Sequence, residues 1–275
     1  MKTIAERRQT FRELHTSGCF LLPNPWDIGS ARMLQHLGYK ALASTSAGCA
    51  FSRGLPDNAV PRDTMLAHLR ELVEATELPV NADFENGFSD DAETMAENVR
   101  LCVATGVAGL SIEDATGRKE APLYDLATAT QRIAAARAAI GDSGVLLVAR
   151  AECFLVGMTD IDEVLRRLVA YAGAGADCLY APGVQQPQQV RRIVEAVAPK
   201  PVNVLIGAPG GLAMRDVEAL GVRRVSVGGA LARAAWGGFL RAARGLAEQG
   251  SFDGFTDATP HGELNEFFRV DALTR

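Results

Sequence analysis

The chain has 275 residues, of which 48% are hydrophobic and 22% charged, and its formal net charge is −5. This length suits one large domain or two small ones, and the charge offers no basic field for a nucleic acid to follow. The N-terminal stretch MKTIAERRQTFRELHTSG lacks the apolar core of a signal peptide, and no later run approaches the ~20 apolar residues that span a bilayer. We therefore expect a globular, cytoplasmic protein with neither a nucleic-acid nor a membrane partner.

The cysteines are scattered along the chain, odd in number, and never spaced as a CxxC pair. They are Cys19, Cys49, Cys102, Cys153 and Cys178. This pattern indicates neither a disulfide framework nor a thiolate zinc site, and we expect free thiols that are buried or half-buried.

Short apolar runs alternate with helix-like segments along the chain, for example RDTMLAHLRELVEAT (62–76), in which apolar residues recur at spacings of three and four. The eight runs occupy residues 19–23, 40–45, 78–84, 108–114, 144–150, 176–182, 200–206 and 223–229. Near-continuous apolar strands are buried on both faces, as in parallel sheets covered by helices. Eight such units predict a (β/α)₈ TIM barrel, since short connections let successive strands pair.

A doubly wound open sheet with a helical extension is the alternative fold, and the absence of GxGxxG after the first run weakens it. No break in composition marks a second domain, so we predict a single barrel domain over residues 1–275. Within it, residues 250–275 form a C-terminal helical extension that carries Phe252, Phe255, Phe267 and Phe268. Such a segment is expected to pack on the barrel or on a partner subunit.

Polar residues follow the apolar runs where the predicted strands end, which is where a barrel of this kind carries its site. The third run continues into NADFENG (81–87), so Asn81, Asp83 and Glu85 alternate and are predicted to share one strand face. The other strand-end residues are Ser44, Thr45, Ser46, Glu113, Asp114, Arg150, Glu152 and Asn203, with Asp57 in the long segment after the second run. Together they predict a carboxylate-rich rim with one arginine.

Carboxylate and amide oxygens without histidine or cysteine are hard ligands, which favour Mg²⁺ or Mn²⁺ over zinc. Because Mg²⁺ keeps several waters, Asp83 alone could bind it directly while Asp57, Glu85 and Glu113 hold those waters. Arg150 would then receive the carboxylate of an anionic substrate. In the alternative interpretation, acidic residues at strand ends only cap the following helices, as Asp27 and Asp114 could do.

Histidine and glycine add little to the predicted site. No histidine ends a predicted strand, so a nucleophilic triad has no obvious base. The glycine groups GAPGG (207–211) and VGGALAR (227–233) stand where many barrels bind phosphate, and they are equally typical of tight turns.

Several motifs in order resemble the isocitrate lyase/phosphoenolpyruvate mutase superfamily over roughly residues 5 to 250. They are NPWDIGSARML (24–34), ASTSAG with GLPD (43–57), NADFENG (81–87), IED (112–114) and VAR (148–150). The resemblance implies a (β/α)₈ barrel whose last helix is exchanged between subunits, and hence a homo-oligomer, a dimer or a tetramer.

The resemblance also implies roles for individual residues. Asp57, Asp83 and Glu113 match positions that hold Mg²⁺ directly or through water, and Asn81 with Glu85 completes the expected metal set. Ser44 and the amides of Thr45 and Ser46 match the loop that binds a 2-oxo acid, Arg150 matches the arginine that steadies it, and Asn203 matches a polar position on the seventh strand. Family members work through a metal-bound enolate made or consumed by C–C or P–C bond cleavage.

Two departures limit what the resemblance implies. Lyase members carry K-[KR]-C-G-H after the IED strand, whereas this chain reads ATGRKEAPLYDL (115–126), so isocitrate and methylisocitrate lyase activities are not expected. With that cysteine missing, Lys119, Glu120, Tyr124 or a metal-bound water are the candidates for proton transfer. Asn81 stands where members have the first Asp of DAD, and Glu85 replaces a glycine, which could restore the lost charge.

We therefore expect an Mg²⁺- or Mn²⁺-dependent lyase, decarboxylase, hydrolase or mutase acting on a small 2-oxo carboxylate or its adduct. An alternative is a regulatory or non-catalytic protein that binds pyruvate, oxaloacetate or 2-oxoglutarate, because the proton-transfer loop is rewritten. A third alternative is an unrelated divalent-metal barrel aldolase.

Overall fold

The computed structural model describes residues 2–273, in which eight parallel strands alternate with helices. The strands are β1 (Phe20–Leu22), β2 (Leu42–Ala43), β3 (Val80–Asp83), β4 (Gly109–Glu113), β5 (Leu146–Arg150), β6 (Cys178–Tyr180), β7 (Val202–Leu205) and β8 (Arg224–Ser226). The helices are α1 (Ile4–Leu14), α2 (Ile28–His36), α3 (Ser46–Ser52), α4 (Arg62–Ala75), α5 (Ala92–Ala104), α6 (Leu126–Ile140), α7 (Ile161–Gly173), α8 (Pro187–Val197), α9 (Met214–Ala219), α10 (Ala230–Gln249) and α11 (His261–Leu273). Every strand falls within one of the predicted apolar runs.

The strands pair in sequence order from β2 to β8, and β8 pairs in turn with β1. All pairs are parallel, as in Glu113 of β4 opposite Arg150 of β5. The remaining seam is bridged by the Ala43 N–H, which donates to the Pro23 carbonyl at 3.0 Å. This order confirms the predicted (β/α)₈ barrel, since a doubly wound sheet would show a change of direction in strand order.

Local sequence explains where the outer helices begin. Asp27, Asp91, Asp125 and Asp160 each lie one residue before a helix and accept a backbone N–H of its first turn. A carboxylate there satisfies an amide that has no partner within the helix and interacts favourably with the helix dipole. The capping role predicted for Asp27 is confirmed.

The first helix closes the amino-terminal end of the barrel. Thr3 and Glu6 form a capping box that starts α1, and Phe11, with no exposed surface, packs against Leu22 and Ala108. His15 follows α1, and its ring lies edge-on to that of Phe11 with 4.7 Å between centroids. The base of the barrel is therefore filled by side chains from outside the sheet.

The chain separates into two compact units, the first ending at Ala230 and the second beginning at Leu231. The second unit carries most of α10, a 3₁₀ turn at Asp253–Phe255, and α11, with exposed aromatic residues such as Phe252 and Phe239. The sequence placed the extension later, at 250–275, and its exchange between subunits stays a prediction. Within residues 2–273, no helix has the length and apolar character needed to cross a membrane.

Candidate active site

A cavity of ≈ 180 Å³ opens at the carboxyl ends of the strands. Its wall contains polar side chains from seven of the strands or the loops that follow them. These are Asn24, Ser44, Thr45, Ser46, Asp57, Asn81, Asp83, Ser111, Arg150, Tyr180, Arg224 and Ser226, with Gly228 and Gly229 beside them. The structure thus brings most of the predicted strand-end residues to one place.

Arg150, at the end of β5, is the centre of the ionic contacts in this cavity. Its guanidinium donates to Asp83 at 2.7 Å and to Glu152 at 2.8 Å, and Nη2 lies 3.1 Å from Glu113. Burial alone would lower the pKa of Arg150, but the carboxylates of Glu152, Glu113 and Asp83 hold it well above its ordinary value. Arg150 is therefore a permanent cation among several acids.

Asp83 ends β3 and is held from two sides. Oδ1 accepts from Arg150, and Oδ2 accepts the Ser46 backbone N–H at 3.0 Å. The Asp83 N–H in turn donates to the Ser44 hydroxyl at 2.8 Å. Thr45 caps α3 by accepting the Gly48 N–H, which fixes the Ser46 amide toward the cavity.

The acidic cluster around Arg150 contains more carboxylates than this one guanidinium can balance. Partial burial of its carboxyl, and then the charge of Asp83, raise the pKa of Asp57, although the residue as a whole is exposed at the cavity mouth. Burial, then Asp83 and Asp57, raise the pKa of Glu85 to about 8. Burial also raises the pKa of Glu113 well above its ordinary value, against the pull of Arg150. Buried carboxylates that also disfavour one another's charge favour the binding of a cation among them.

The donor set fits a hard divalent cation. Glu85 Oε1 is buried and has no hydrogen-bond partner within residues 2–273, which is unfavourable unless a cation or a water binds there. Among residues 2–273 no three His, Cys, Asp or Glu side chains are arranged to hold one ion directly. Few direct ligands and several waters are what Mg²⁺ usually takes, so Asp83 with Asp57 or Glu85 is a sufficient set.

The predicted alternation along NADFENG holds only as far as Asp83. Asn81 and Asp83 line the cavity, but β3 ends at Asp83 and Glu85 has a left-handed φ of 48°. The prediction that Glu85 shares their strand face is therefore wrong, because the period of two ends with the strand. Glu85 stays within the electrostatic reach of Asp83 and Asp57 but does not line the cavity itself.

Asn81 does not point its oxygen toward the carboxylates. Its Oδ1 lies 3.4 Å from Arg224 Nη1, and its Nδ2 donates to the Ala82 carbonyl at 3.0 Å. An oxygen facing a guanidinium is poorly placed to hold a second cation. We therefore leave Asn81 out of the metal set that the sequence suggested.

The rewritten loop after β4 borders a second cavity of ≈ 340 Å³, which shares Ser46, Asp57 and Arg150 with the first. Lys119 lines this second cavity, and Glu113 and Glu152 also reach it. The loop is closed on itself by an antiparallel bridge between Ala115 and Leu123. Of the three proton-transfer candidates, the structure brings Lys119 to the site.

Glu120 is exposed and lines neither cavity. Tyr124 is buried, and its hydroxyl donates to Asp90 and accepts from Asn86 rather than facing the cavity. Its ring lies 4.3 Å from the guanidinium carbon of Arg132, which itself donates to the carbonyl of Asn86. Tyr124 thus stabilises the NADFENG segment through its contacts with Asn86 and Arg132.

Two other residues singled out from the sequence have structural contacts. Asn203 is 1% exposed, donates to Ser226 Oγ at 3.0 Å and accepts from Arg224 at 2.9 Å, so it backs the cavity wall instead of lining it. Asp114 caps no helix: it accepts from Arg167 at 2.9 Å and from the Tyr171 hydroxyl at 2.6 Å.

Several lining residues were not predicted from the sequence. Asn24 accepts the backbone N–H groups of Val227 and Gly228 and donates to the Ser44 carbonyl, which joins the ends of the first, second and eighth strands. Tyr180 and Arg224 lie inside apolar runs, and the sequence pattern therefore predicts them only as parts of strands. The one available signal was the alternation of Arg224 and Ser226, which places both on the same strand face.

A closed parallel barrel with an acidic cluster, a buried arginine and two adjoining cavities at the carboxyl ends of its strands is a TIM-barrel enzyme architecture. Residues 11–247 match the family model for phosphoenolpyruvate phosphomutase. The chain belongs to the isocitrate lyase/phosphoenolpyruvate mutase superfamily and is an enzyme of the lyase or mutase type.

Similar proteins cover nearly the same extent. A crystal structure from Burkholderia cenocepacia J2315, described only as a lyase/mutase, is 50% identical, with a TM-score of 0.94 and 97% of each chain covered. An oxaloacetate decarboxylase of Paraburkholderia xenovorans is 30% identical over 80% of this chain and 74% of its own. A phosphonopyruvate hydrolase solved with oxalate and Mg²⁺ is 25% identical, with a TM-score of 0.84 over 99% of this chain and 98% of that one.

Proposed function

We propose that this protein is a divalent-metal-dependent enzyme that acts on a small 2-oxo acid and breaks a C–C or P–C bond between C3, the carbon beside the oxo group, and its carboxyl or phosphono substituent. The observation that carries the proposal is the combination, in one cavity, of surplus carboxylates with Arg150 and the Ser46 amide. The surplus carboxylates suit a divalent cation, and Arg150 with the Ser46 amide suits a carboxylate. The oxaloacetate decarboxylase and phosphonopyruvate hydrolase relatives support the choice of substrate class.

Each group has a role in this reaction. Asp83, with Asp57 or Glu85, would hold Mg²⁺ or Mn²⁺, which supplies polarisation of the oxo group and offsets the charge that develops on its oxygen. Arg150 would bind the substrate carboxylate through the Nη1 and Nη2 groups that now contact Asp83 and Glu113. The Ser44 hydroxyl orients the Asp83 backbone, which keeps the acid at the cavity wall.

Lys119 is the proposed proton donor. Cleavage leaves its electron pair on the carbon next to the oxo group, and that carbon must take up a proton to give a pyruvate-like product. Lys119 lines the second cavity beside Asp57, where the open side of the site lies. Its loop is closed by the Ala115–Leu123 bridge and by the Thr116 N–H donating to the Pro122 carbonyl, so the lysine is held near the mouth.

Turnover of oxaloacetate and phosphonopyruvate, read as pyruvate release in a coupled NADH assay, tests the proposal. We expect release with Mg²⁺ or Mn²⁺ and none with a chelator, loss of it in Asp83→Ala, and retained binding but slower release in Lys119→Met. Because Mg²⁺ alone decarboxylates oxaloacetate slowly, Asp83→Ala protein at the same metal concentration is the control.

Binding without chemistry is the competing function, and thermal unfolding separates the two. A 2-oxo acid at 100 times its Kd should add ~2.7 kcal/mol of stability whether or not it is turned over. Stabilisation without product from any of these acids would identify a binding protein, and unchanged turnover in Asp83→Ala would contradict the proposed site.

A further inference from the structure

Arg224, the first residue of β8, is a buried cation without a carboxylate partner. It is 2% exposed, and its guanidinium contacts Asn203 Oδ1 at 2.9 Å, Asn81 Oδ1 at 3.4 Å and His15 Nε2 at 3.4 Å. The salt bridges within residues 2–273 do not include it. All its contacts are therefore to side chains that are neutral or can be neutral.

His15 cannot supply the missing negative charge and adds no positive one. Burial, and then the charge of Arg224, lower the pKa of His15 to about 3, so the ring is neutral at pH 7. Its Nδ1 lies 2.7 Å from the Phe11 carbonyl, which can only accept, so we place the proton on Nδ1. Nε2 then has a free lone pair that accepts from Arg224.

Arg150 provides the contrast within the same cavity. Both arginines line the wall, but Arg150 has three carboxylates around it and Arg224 has none. A guanidinium stays protonated even when buried, so Arg224 keeps its full charge out of water. Neutral amide and imidazole acceptors recover only part of that cost, and removing charge from water without a counter-ion is unfavourable.

The cavity gives the missing counter-ion a place. Asn81 precedes Asp83 by two residues on β3, so the Asn81–Arg224 pair lies about 6.6 Å deeper in the barrel than Asp83. The hydroxyl-bearing residues Ser111, Tyr180 and Ser226 line the same cavity. Gly109 allows Asn81 to take this position, since a Cβ on Gly109 would come within 2.7 Å of Asn81 Oδ1.

We propose that Arg224 and the surrounding hydroxyl groups form a second anion subsite on the floor of the cavity, which selects 2-oxo acids carrying a distal carboxylate. The inference rests on the proposed function, because it assumes that the oxo-acid end of the ligand lies at Asp83 and Arg150. The distal carboxylate supplies the charge that Arg224 lacks. A 2-oxo acid ending in a methyl group would leave the guanidinium uncompensated.

Asn81 controls whether this subsite is free. An aspartate at this position would place a carboxylate where Asn81 Oδ1 now accepts from Arg224 and would form a buried ion pair with it. The amide instead holds the guanidinium by one weak contact and leaves its charge available. In Asn81→Asp the new carboxylate should therefore pair with Arg224 and take the place of the ligand carboxylate.

Two pairs of acids matched in chain length test the subsite: oxaloacetate against 2-oxobutanoate, and 2-oxoglutarate against 2-oxopentanoate. Dissociation constants come from thermal unfolding over a range of ligand concentrations with Mg²⁺ present. We expect the dicarboxylate of at least one pair to bind about tenfold tighter or more, as a charge-assisted contact to a buried arginine provides. Arg224→Met and Asn81→Asp should each abolish that preference while the monocarboxylate binds as before.

Arg223→Met is the matched control, because Arg223 is the preceding residue, lines neither cavity and donates to the Gly18 carbonyl. If Arg224→Met does not fold, Asn81→Asp carries the test alone. Equal binding of both acids in each pair, or equal loss of both in the variants, would overturn the subsite and leave the proposed function standing. Binding of neither acid by the unmodified protein would overturn both.

Discussion

Replacing Glu85 with glutamine should stabilise the metal-free protein at neutral pH. Glu85 is 8% exposed, its Oε1 has no hydrogen-bond partner in the part of the chain that the structure describes, and Asp83 and Asp57 lie near enough to disfavour its charge. The amide keeps the size of the side chain and removes the ionisation. The variant thus isolates the energetic cost of collecting acids in the site before a cation is bound.

The magnitude follows from the pKa of Glu85, raised to about 8 from an ordinary 4.5. Below pH 4.5 the carboxyl is protonated in both the folded and the unfolded chain, so its ionisation does not change the free energy of unfolding. Between pH 4.5 and 8 the unfolded chain loses the proton that the folded chain keeps, and stability falls as the pH rises. At pH 7 the loss is about 3 kcal/mol, which is the largest gain that Glu85→Gln can give.

Urea denaturation at several pH values between 5 and 8.5, with a chelator present, measures this gain. The unmodified protein should lose stability across the range, and Glu85→Gln should lose much less. Glu97→Gln, on the exposed face of α5, is the control and should follow the unmodified protein. At pH 8, Mg²⁺ should raise the free energy of unfolding of the unmodified protein more than that of the variant. A variant less stable than the unmodified protein at pH 8 without metal would refute the reasoning.

Three further substitutions should each lower the free energy of unfolding. Asp114→Asn should cost about 3 kcal/mol in urea denaturation, because it removes the more deeply buried of the two carboxylates that pair with the Arg167 guanidinium and leaves only Glu163. Gly87→Ala should cost well over about 1 kcal/mol in the same assay, since its φ is +78° and the new Cβ would lie 2.4 Å from Met95 Cγ. Asp27→Ala should cost about 1 kcal/mol in thermal unfolding through loss of the α2 cap.

Matched variants separate these causes from general damage. Asp162→Asn breaks an exposed pair with Arg192 and should cost no more than about 1 kcal/mol, so an equal loss in Asp114→Asn would count against burial as the cause. Gly54→Ala has a φ of +69° but nothing within 4 Å of its new Cβ. A cost there as large as at Gly87 would show that backbone conformation, not Met95, sets the penalty.

The barrel was predictable because each strand is a short apolar run between helical patterns, and burial on both faces leaves that signature in the sequence. The rim residues were predictable for the same reason, since they follow the runs. The prediction for Glu85 failed because its left-handed φ ends the alternation of the strand. The residue types alone do not reveal this backbone conformation. The pairing of Asp114 with Arg167 could not be predicted, since Arg167 lies 53 residues away in the chain, on the buried face of α7.

Arg224 illustrates a different limit. In the run RRVSVGG (223–229) one arginine lies on the outer side of the strand and the next is buried in the barrel, and only the register decides which. A one-residue shift would exchange them. Sequence patterns locate strand ends well, but they say little about charged residues inside a barrel, whose cost depends on neighbours from other strands.

The contact between His15 and Arg224 gives the first helix a consequence beyond closing the barrel. A protein shortened to begin at Cys19 would lose Phe11 and His15, and solvent could reach the Arg224 guanidinium from below. Water would then stabilise the Arg224 charge, as a bound carboxylate is proposed to do. The difference in affinity between a dicarboxylate and a monocarboxylate would become smaller. Substitutions in α1 could in this way alter ligand preference during evolution without any change at the mouth of the cavity.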